Sequence, residues 1–290
     1  MKIKIFRFVL CGILPLISLI TFSLPSYADS TPICDGKIAT IVGTAGDDIL
    51  QGTIGNDVIV GLDGNDTISG LEGNDIICGG NGSDTIYGEY ENATPLFLGG
   101  NDRIFGGSGN DKLMGDFYYF NTIAAIGAAA GTDYIDGGSG DDVISGGVMD
   151  FNVTTAVADL GSSNDNLNGG EGNDTMYGWT KNFTTTIIGT ILLNDGQNSM
   201  DGGPGEDTMY GDFETLNGVL TTINALRDTI NGGEGNDTIY GDVKNGNVNI
   251  TPTLNGNNDA INGGNGWDQG DAGPGTDICT NTETVINCEF

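Results

Sequence analysis

Aspartate recurs at positions 48, 57, 66, 75 and 84, nine residues apart, each two residues after a Gly and two before an Ile or Leu. These residue types suit one kind of chemistry. Gly takes backbone conformations closed to other residues and so brings carbonyl oxygens close together in a tight turn, and Asp adds a short carboxylate. Calcium requires hard oxygens of this kind, six to eight of them at about 2.3 to 2.6 Å. One turn cannot supply so many, but two turns stacked on the same edge of a repeating fold can. The alternative is turn formation without metal, which leaves stacked carboxylates to repel one another.

Beyond 84 the Asp slot returns in pairs nine residues apart: 102 and 111, 133 and 142, 165 and 174, Asn198 with Asp207, 228 and 237, 259 and 268, and a last one at 277. The expected metal ligands are Asp48, Asp57, Asp66, Asp75, Asp84, Asp102, Asp111, Asp133, Asp142, Asp174, Asp207, Asp237, Asp268 and Asp277. Elements of equal regularity must position them. Two residues after the slot stand Leu50, Ile59, Ile68, Ile77, Ile86, Ile104, Leu113, Ile135, Ile144, Leu167, Met176, Met200, Met209, Ile230, Ile239 and Ile261. A three-residue strand between Gly-rich turns points one such side chain inward, and stacked coils then share a continuous narrow core. The expectation is an all-β fold, a parallel β-roll or β-helix solenoid. If strands alternate between two edges, Asp48, Asp66, Asp84 and Asp102 form one column, and Asp57 and Asp75 begin the other.

From 102 onward each pair of turns is separated from the next by about a dozen residues, giving a super-repeat of about thirty-one marked by Asp111, Asp142, Asp174, Asp207, Asp237 and Asp268. Turns at those six Asp keep Gly at the first, second and fourth positions. Turns that follow the insertions decay: Ser163 precedes Asp165, Asn198 replaces the Asp, Leu226 precedes Asp228 and Asn257 precedes Asp259. One edge is therefore expected to carry the strong sites, and Ala93, at a place due in the column, to interrupt it once. Phe117-Tyr118-Tyr119-Phe120, the stretches 151–155 and 183–188, and Val248-Asn249-Ile250-Thr251 are β-prone and partly apolar. They are expected as lateral β insertions that either widen each coil or stack as a layer of hairpins. Glu89, Asp116, Asp212 and Asp242 open several of them, as extra calcium ligands or as solvated turn acids.

The copies Gly106-Gly107-Ser108-Gly109-Asn110-Asp111, Gly169-Gly170-Glu171-Gly172-Asn173-Asp174 and Gly232-Gly233-Glu234-Gly235-Asn236-Asp237 resemble the hemolysin-type, or RTX, calcium-binding nonapeptide repeat, over roughly residues 43 to 279. The resemblance implies a right-handed roll, multiple Ca2+ ions held between stacked turns, and folding only once calcium is available. Extracellular-type sites have dissociation constants of about 10⁻⁴ to 10⁻³ M, which would keep the chain loose where calcium is scarce.

Composition narrows the function classes. Nine Lys plus Arg stand against 40 Asp plus Glu, with no His, for a formal charge of -31; this disfavours a nucleic-acid partner. Lys2, Lys4 and Arg7 precede an apolar run from Phe8 to Phe22, and Ser26-Tyr27-Ala28 ends in small residues at the positions before a cut. That pattern reads as a signal peptide, with a retained anchor as the alternative; its removal leaves no membrane span and a more acidic chain. The layout is then signal peptide 1–28, N-terminal cap 29–42, roll 43–279 (plain nonapeptides 43–87, super-repeats 97–270) and C-terminal cap 280–290. The expected location is secreted, extracellular or at the cell surface. Four Cys remain, and the preferred pairing is Cys34 with Cys78 and Cys279 with Cys288, each stapling a terminal coil. Without His there is no Ser-His or Cys-His relay. The remaining bases, Lys37, Arg103, Lys112, Lys181, Arg227 and Lys244, are scattered, so no enzyme is expected. The alternative function is an adhesin or ligand-binding module, for glycan or ice, that uses the Thr and aromatic insertions.

Overall fold

A computed structural model describes residues 31–93, 99–117, 119–122, 131–153, 163–185, 192–194, 196–218, 222–224, 227–248, 253–255, 259–265, 269–272, 277–282 and 284–286. The signal-peptide segment, Asp268 and Cys288 lie outside them. The described residues contain strands and turns and no helix.

Two parallel ten-stranded ladders face each other, and the chain alternates between them. The long-strand ladder runs from Ile41–Val42 through six-residue strands such as Val58–Asp63, Arg103–Ser108 and Tyr134–Ser139 to Ile278–Thr280. The short-strand ladder runs from Ile49–Gln51 through three-residue strands such as Lys112–Met114 and Val143–Ser145 to Thr284–Ile286. The long-strand ladder begins just before residue 43, and both continue slightly past 279. The in-register pairing sets like residues over like: Ile104 lies beside Ile77 and Ile135, and Leu113 beside Ile86 and Ile144.

With one inward side chain per strand, the core is a single file. Ile59, Ile68, Ile77, Ile86, Ile104, Leu113, Ile135, Ile144, Leu167, Met176, Met209 and Ile239 are fully buried in it, with Leu50 packed at the open N-terminal end. This is the parallel β-roll expected from the slot after each Asp. The antiparallel pair Ile33–Cys34 and Lys37–Ile38 packs on the outer side of the first long strands, where Cys34 lies with Val60 and Ile76, and the disulfide Cys34–Cys78 fixes it there. Cys279 is also disulfide-bonded. The Cys34–Cys78 bond closes 44 residues, a loop whose closure is worth about 4 kcal/mol in the chain-entropy model. Its reduction, or Cys34→Ser with Cys78→Ser, should lower thermal stability in calcium without loss of the β signal in circular dichroism.

The insertions stack into further parallel ladders. Asn92–Ala93, Tyr119–Thr122, Asp150–Val153, Thr180–Thr185, Phe213–Gly218 and Val243–Val248 form six strands in sequence order, and Leu192–Asn194, Thr222–Asn224 and Thr253–Asn255 form three. The expected lateral layer is present, but its pairing is between coils and parallel. The hairpin form is corrected, because the roll already fixes the coil spacing and each insertion finds its partner one coil away. Tyr87, Met114, Met149, Tyr177 and Tyr210 form a second apolar cluster, in which Tyr177, Tyr210 and Tyr240 stack with centroids 5.1 Å apart.

Candidate metal centre

Every coil turns twice between the ladders. One turn, which leads from a long strand to a short one, never carries an insertion; the other holds all of them. On the continuous edge the column is Asp48, Asp66, Asp84, Asp111, Asp142, Asp174, Asp207, Asp237. On the split edge it is Asp57, Asp75, Asp102, Asp133, Asp165, Asn198, Asp228, Asp259, Asp277. Asp102 thus stacks on Asp75, not on Asp84, and Asp84 stacks on Asp111. The expected assignment of Asp102 is corrected, and so is the interruption at Ala93. Ala93 belongs to the first lateral strand, and Asp75 pairs with Asp102 and Asp84 with Asp111, so neither column is broken there.

Stacking is enforced by the Asp themselves. The backbone N–H of each donates to Oδ1 of the column residue in the next coil, at 2.7 Å for Asp84 to Asp111 and 2.8 Å for Asp111 to Asp142 and Asp142 to Asp174. The preceding residue forms a ladder in the opposite direction: Asn101 N–H donates to Asn74 Oδ1 at 2.7 Å, and Thr132 N–H to Asn101 Oδ1 at 2.8 Å. The recurrent Asn-Asp pair therefore interlocks coils both ways, a role for Asn that the nonapeptide pattern alone does not reveal.

With Oδ1 occupied, Oδ2 decides the chemistry. In Asp66, Asp84, Asp111, Asp142, Asp174 and Asp207 on the continuous edge, and Asp75, Asp102, Asp133 and Asp259 on the split edge, Oδ2 is buried with no hydrogen-bond partner. Each faces a carbonyl of the next coil across the Cα of the turn's first Gly, a glycine carbonyl except at Asp259, where it is Ala272 O. A Cβ on Gly79 would lie 2.7 Å from Gly106 O, with Asp84 Oδ2 nearer still, and one on Gly106 would lie 2.5 Å from Gly137 O, again beside Asp111 Oδ2. Gly is required at the first position because any side chain would fill that space. At the second position Gly is favoured for another reason: Gly107, Gly138 and Gly170 have φ of 112°, 102° and 102°, a region that side chains rarely adopt, although Leu62 and Leu71 hold the same place at 86° and 74°.

Burial raises the pKa of these carboxylates, and the neighbouring Asp of the column adds to the effect against the donated N–H. Asp75, Asp142, Asp207 and Asp259 are pushed from 3.8 to about 7, Asp111 and Asp174 to about 6, and Asp102 to about 8. Buried charges of this kind need a counter-charge or a proton. Unpartnered carboxylate oxygens set beside carbonyls are a donor set that fits a hard divalent cation. Among the described residues no three acidic, Cys or His side chains close on one point, so the donors come as single carboxylates with backbone oxygens.

Four expected or borderline positions differ from this rule. Asp48 and Asp57, expected ligands, have Oδ2 taken by Thr44 (N–H 2.6 Å, Oγ1 2.9 Å) and Thr53 (N–H 2.7 Å, Oγ1 2.8 Å), because Thr replaces Gly at the second position there. Ser163 Oγ donates to Asp165 Oδ2 at 2.8 Å. Asn198 directs Nδ2 at Gly211 O, 3.5 Å away. Asp237 and Asp277 are buried in their columns. On the split edge Asp57 and Asp165 have Oδ2 bonded to Thr53 and Ser163 and Asn198 offers an amide, whereas Asp259, which sequence reasoning left out, has the same unpartnered Oδ2 as Asp142. Glu89, Asp116, Asp212 and Asp242 are not solvated turn acids, being 0, 0, 0 and 4% exposed.

A parallel roll whose stacked Gly-Asp turns offer paired carboxylate and carbonyl oxygens defines a class of solenoid built around hard cations. The RTX calcium-binding nonapeptide repeat matches at residues 39–68, 51–86, 98–117, 128–148, 159–180, 189–214 and 224–243. The chain belongs to this calcium-binding repeat family. No curated protein shows significant similarity to it.

Proposed function

We propose that this protein is exported and folds outside the cell around calcium bound between stacked turns, serving as a calcium-dependent structural or binding module and not as an enzyme. The observation that carries the reading is the file of buried, unpartnered Oδ2 atoms along both edges. Export is supported by the basic and apolar N-terminal segment and by the Cys34–Cys78 disulfide, which belongs to an oxidising compartment. Of the scattered bases, Arg103 is bound to Asp35 at 2.8 Å and lies over Tyr134, so it holds the N-terminal hairpin to the roll.

The ligand set proposed is Asp66, Asp75, Asp84, Asp102, Asp111, Asp133, Asp142, Asp174, Asp207 and Asp259, with the buried Asp237 and Asp277 in the same columns. Asp142→Ala and Asp165→Ala remove the same atoms from neighbouring coils. In calorimetric titration Asp142→Ala should lose calcium binding, whereas Asp165→Ala, whose Oδ2 is already satisfied by Ser163, should keep the parent stoichiometry. Equal losses would count against the assignment of sites by free Oδ2.

A further inference from the structure

On the split edge the chain leaves each coil one residue after the Gly that follows the short strand, and it re-enters just before the column Asp. The residue at this exit corner is in turn Glu89, Asp116, Gly147, Trp179, Asp212 and Asp242. Nothing in the nonapeptide pattern asks for an acid there, since the place belongs to its second Gly.

The four corner acids are buried, yet their oxygens are not all used. Glu89 Oε1 accepts the Gly100 N–H at 2.5 Å and Asp116 Oδ1 accepts the Gly131 N–H at 3.0 Å, so each ties the exit of its insertion to the re-entry. Glu89 Oε2 and Asp116 Oδ2 have no partner, and neither have both carboxylate oxygens of Asp212 and of Asp242. Column carboxylates lie close by: Asp116 is in the field of Asp165 and then Asp102, Asp133 in that of Asp116, and Asp242 in that of Asp259. Carbonyls face the same corners. Ala272 O would be 2.6 Å and Asp259 Oδ2 2.5 Å from a Cβ on Gly241, and Gly146 O and Asp133 Oδ2 converge in the same way beside Gly115.

The two middle coils are the control that the sequence itself provides. Both lack the corner acid, and the Trp179 side chain occupies the space at Gly147, where a Cβ would be 2.9 Å from its Cδ1. In the same two coils the column residue is satisfied by protein, Asp165 by the Ser163 hydroxyl, while Asn198 turns its amide toward Gly211 O. Among the coils with insertions, corner acid and unpartnered column oxygen are present together at Asp102, Asp133 and Asp259 and absent together at Asp165 and Asn198; Asp75, in a turn without an insertion, keeps an open Oδ2 with Leu71 at its corner.

We infer that the split edge carries a second kind of divalent-cation site at its exit corners, one group at Glu89 and Asp116 with Asp102 and Asp133, another at Asp242 with Asp259, separated by a break at Gly147 and Trp179. Each site takes corner and column carboxylates with glycine or alanine carbonyls. The cation closes the neck of an insertion and so fastens the lateral ladders to the roll. The inference rests on the calcium reading of the turns and adds to their column carboxylates acids from outside the repeat pattern, Glu89, Asp116 and Asp242.

The test is calcium stoichiometry of the full chain, by equilibrium dialysis, for the parent and for Glu89→Gln with Asp116→Asn. The amides keep shape and remove charge, as Asn198 does naturally, so folding in calcium should survive and be visible by circular dichroism. The double variant should bind fewer calcium ions, by about two if each corner holds one. A parent that binds calcium and a variant that binds the same number would overturn the corner sites alone. A parent that binds none would overturn the reading of the turns and the corner sites together. Asp242→Asn, in the other group, should lose calcium independently; if the first variant does not fold, equal stoichiometry in Asp242→Asn overturns the proposal.

Discussion

Removal of calcium by chelator is expected to abolish the cooperative unfolding transition of this protein at neutral pH and most of its β signal, and excess calcium to restore both. The folded roll buries at least ten carboxylates whose Oδ2 has no donor, and 40 acids face nine bases along the chain. Each site filled at ten to a hundred times its dissociation constant adds about 1.4 to 2.7 kcal/mol by mass action, so many sites together outweigh the stability of an ordinary domain. The pH dependence follows with its sign. In the metal-free roll the buried Asp have values of about 6 to 8 where the ordinary value is 3.8. A raised carboxyl favours the folded state where it is protonated, and that contribution is complete below about 4 and lost as pH rises through 6 to 8. In chelator the β signal should therefore return on acidification from pH 8 to 5. In calcium the sign reverses, because protons compete with the ion for the same oxygens. Melting curves in both conditions across that range provide the measurement. A fold indifferent to chelator at pH 7.5 would sink the proposal.

Much of this was legible in the sequence because a repeat turns local chemistry into global geometry. The slot after each Asp named the core residue by residue, from Ile59 to Ile261, since a three-residue strand has only one inward place. The column assignment failed at Asp102 for an equally physical reason. Eighteen residues separate Asp84 from Asp102, as in the plain coils, but here nine of them are an insertion and one turn is missing. Spacing alone cannot distinguish a full coil from half a coil plus a loop. The state of Oδ2 was also hidden. Thr44, Thr53 and Ser163 are conservative-looking replacements for Gly, yet each brings a hydroxyl to the carboxylate and converts an open oxygen into a satisfied one.

The Gly losses at the re-entry of the insertions suggested a general weakening of one edge. The structure separates two cases. Where the corner acid remains, as at Asp133, the column oxygen remains open; where Gly147 and Trp179 replace it, the protein closes the site internally. The roll is thus not uniform along its length.

The second large effect is expected in the core. Ile135→Ala should cost about 2 to 5 kcal/mol at saturating calcium, measured by denaturant unfolding, whereas Ile49→Ala, 88% exposed at the N-terminal end, should stay within about 0.5 kcal/mol of the parent. Ile135 is fully buried and has Ile104 on one side and Leu167 on the other in its ladder. In a core one side chain wide per strand no second layer can collapse into the gap, so the cavity term is borne by the adjoining core residues of the two ladders. Because calcium binds only stacked turns, the same substitution should also raise the free calcium needed for half folding, although Ile135 touches no proposed ligand. Weakened stability with an unchanged calcium midpoint would mean that the turns bind without stacking, and the coupling of core to metal would have to be abandoned.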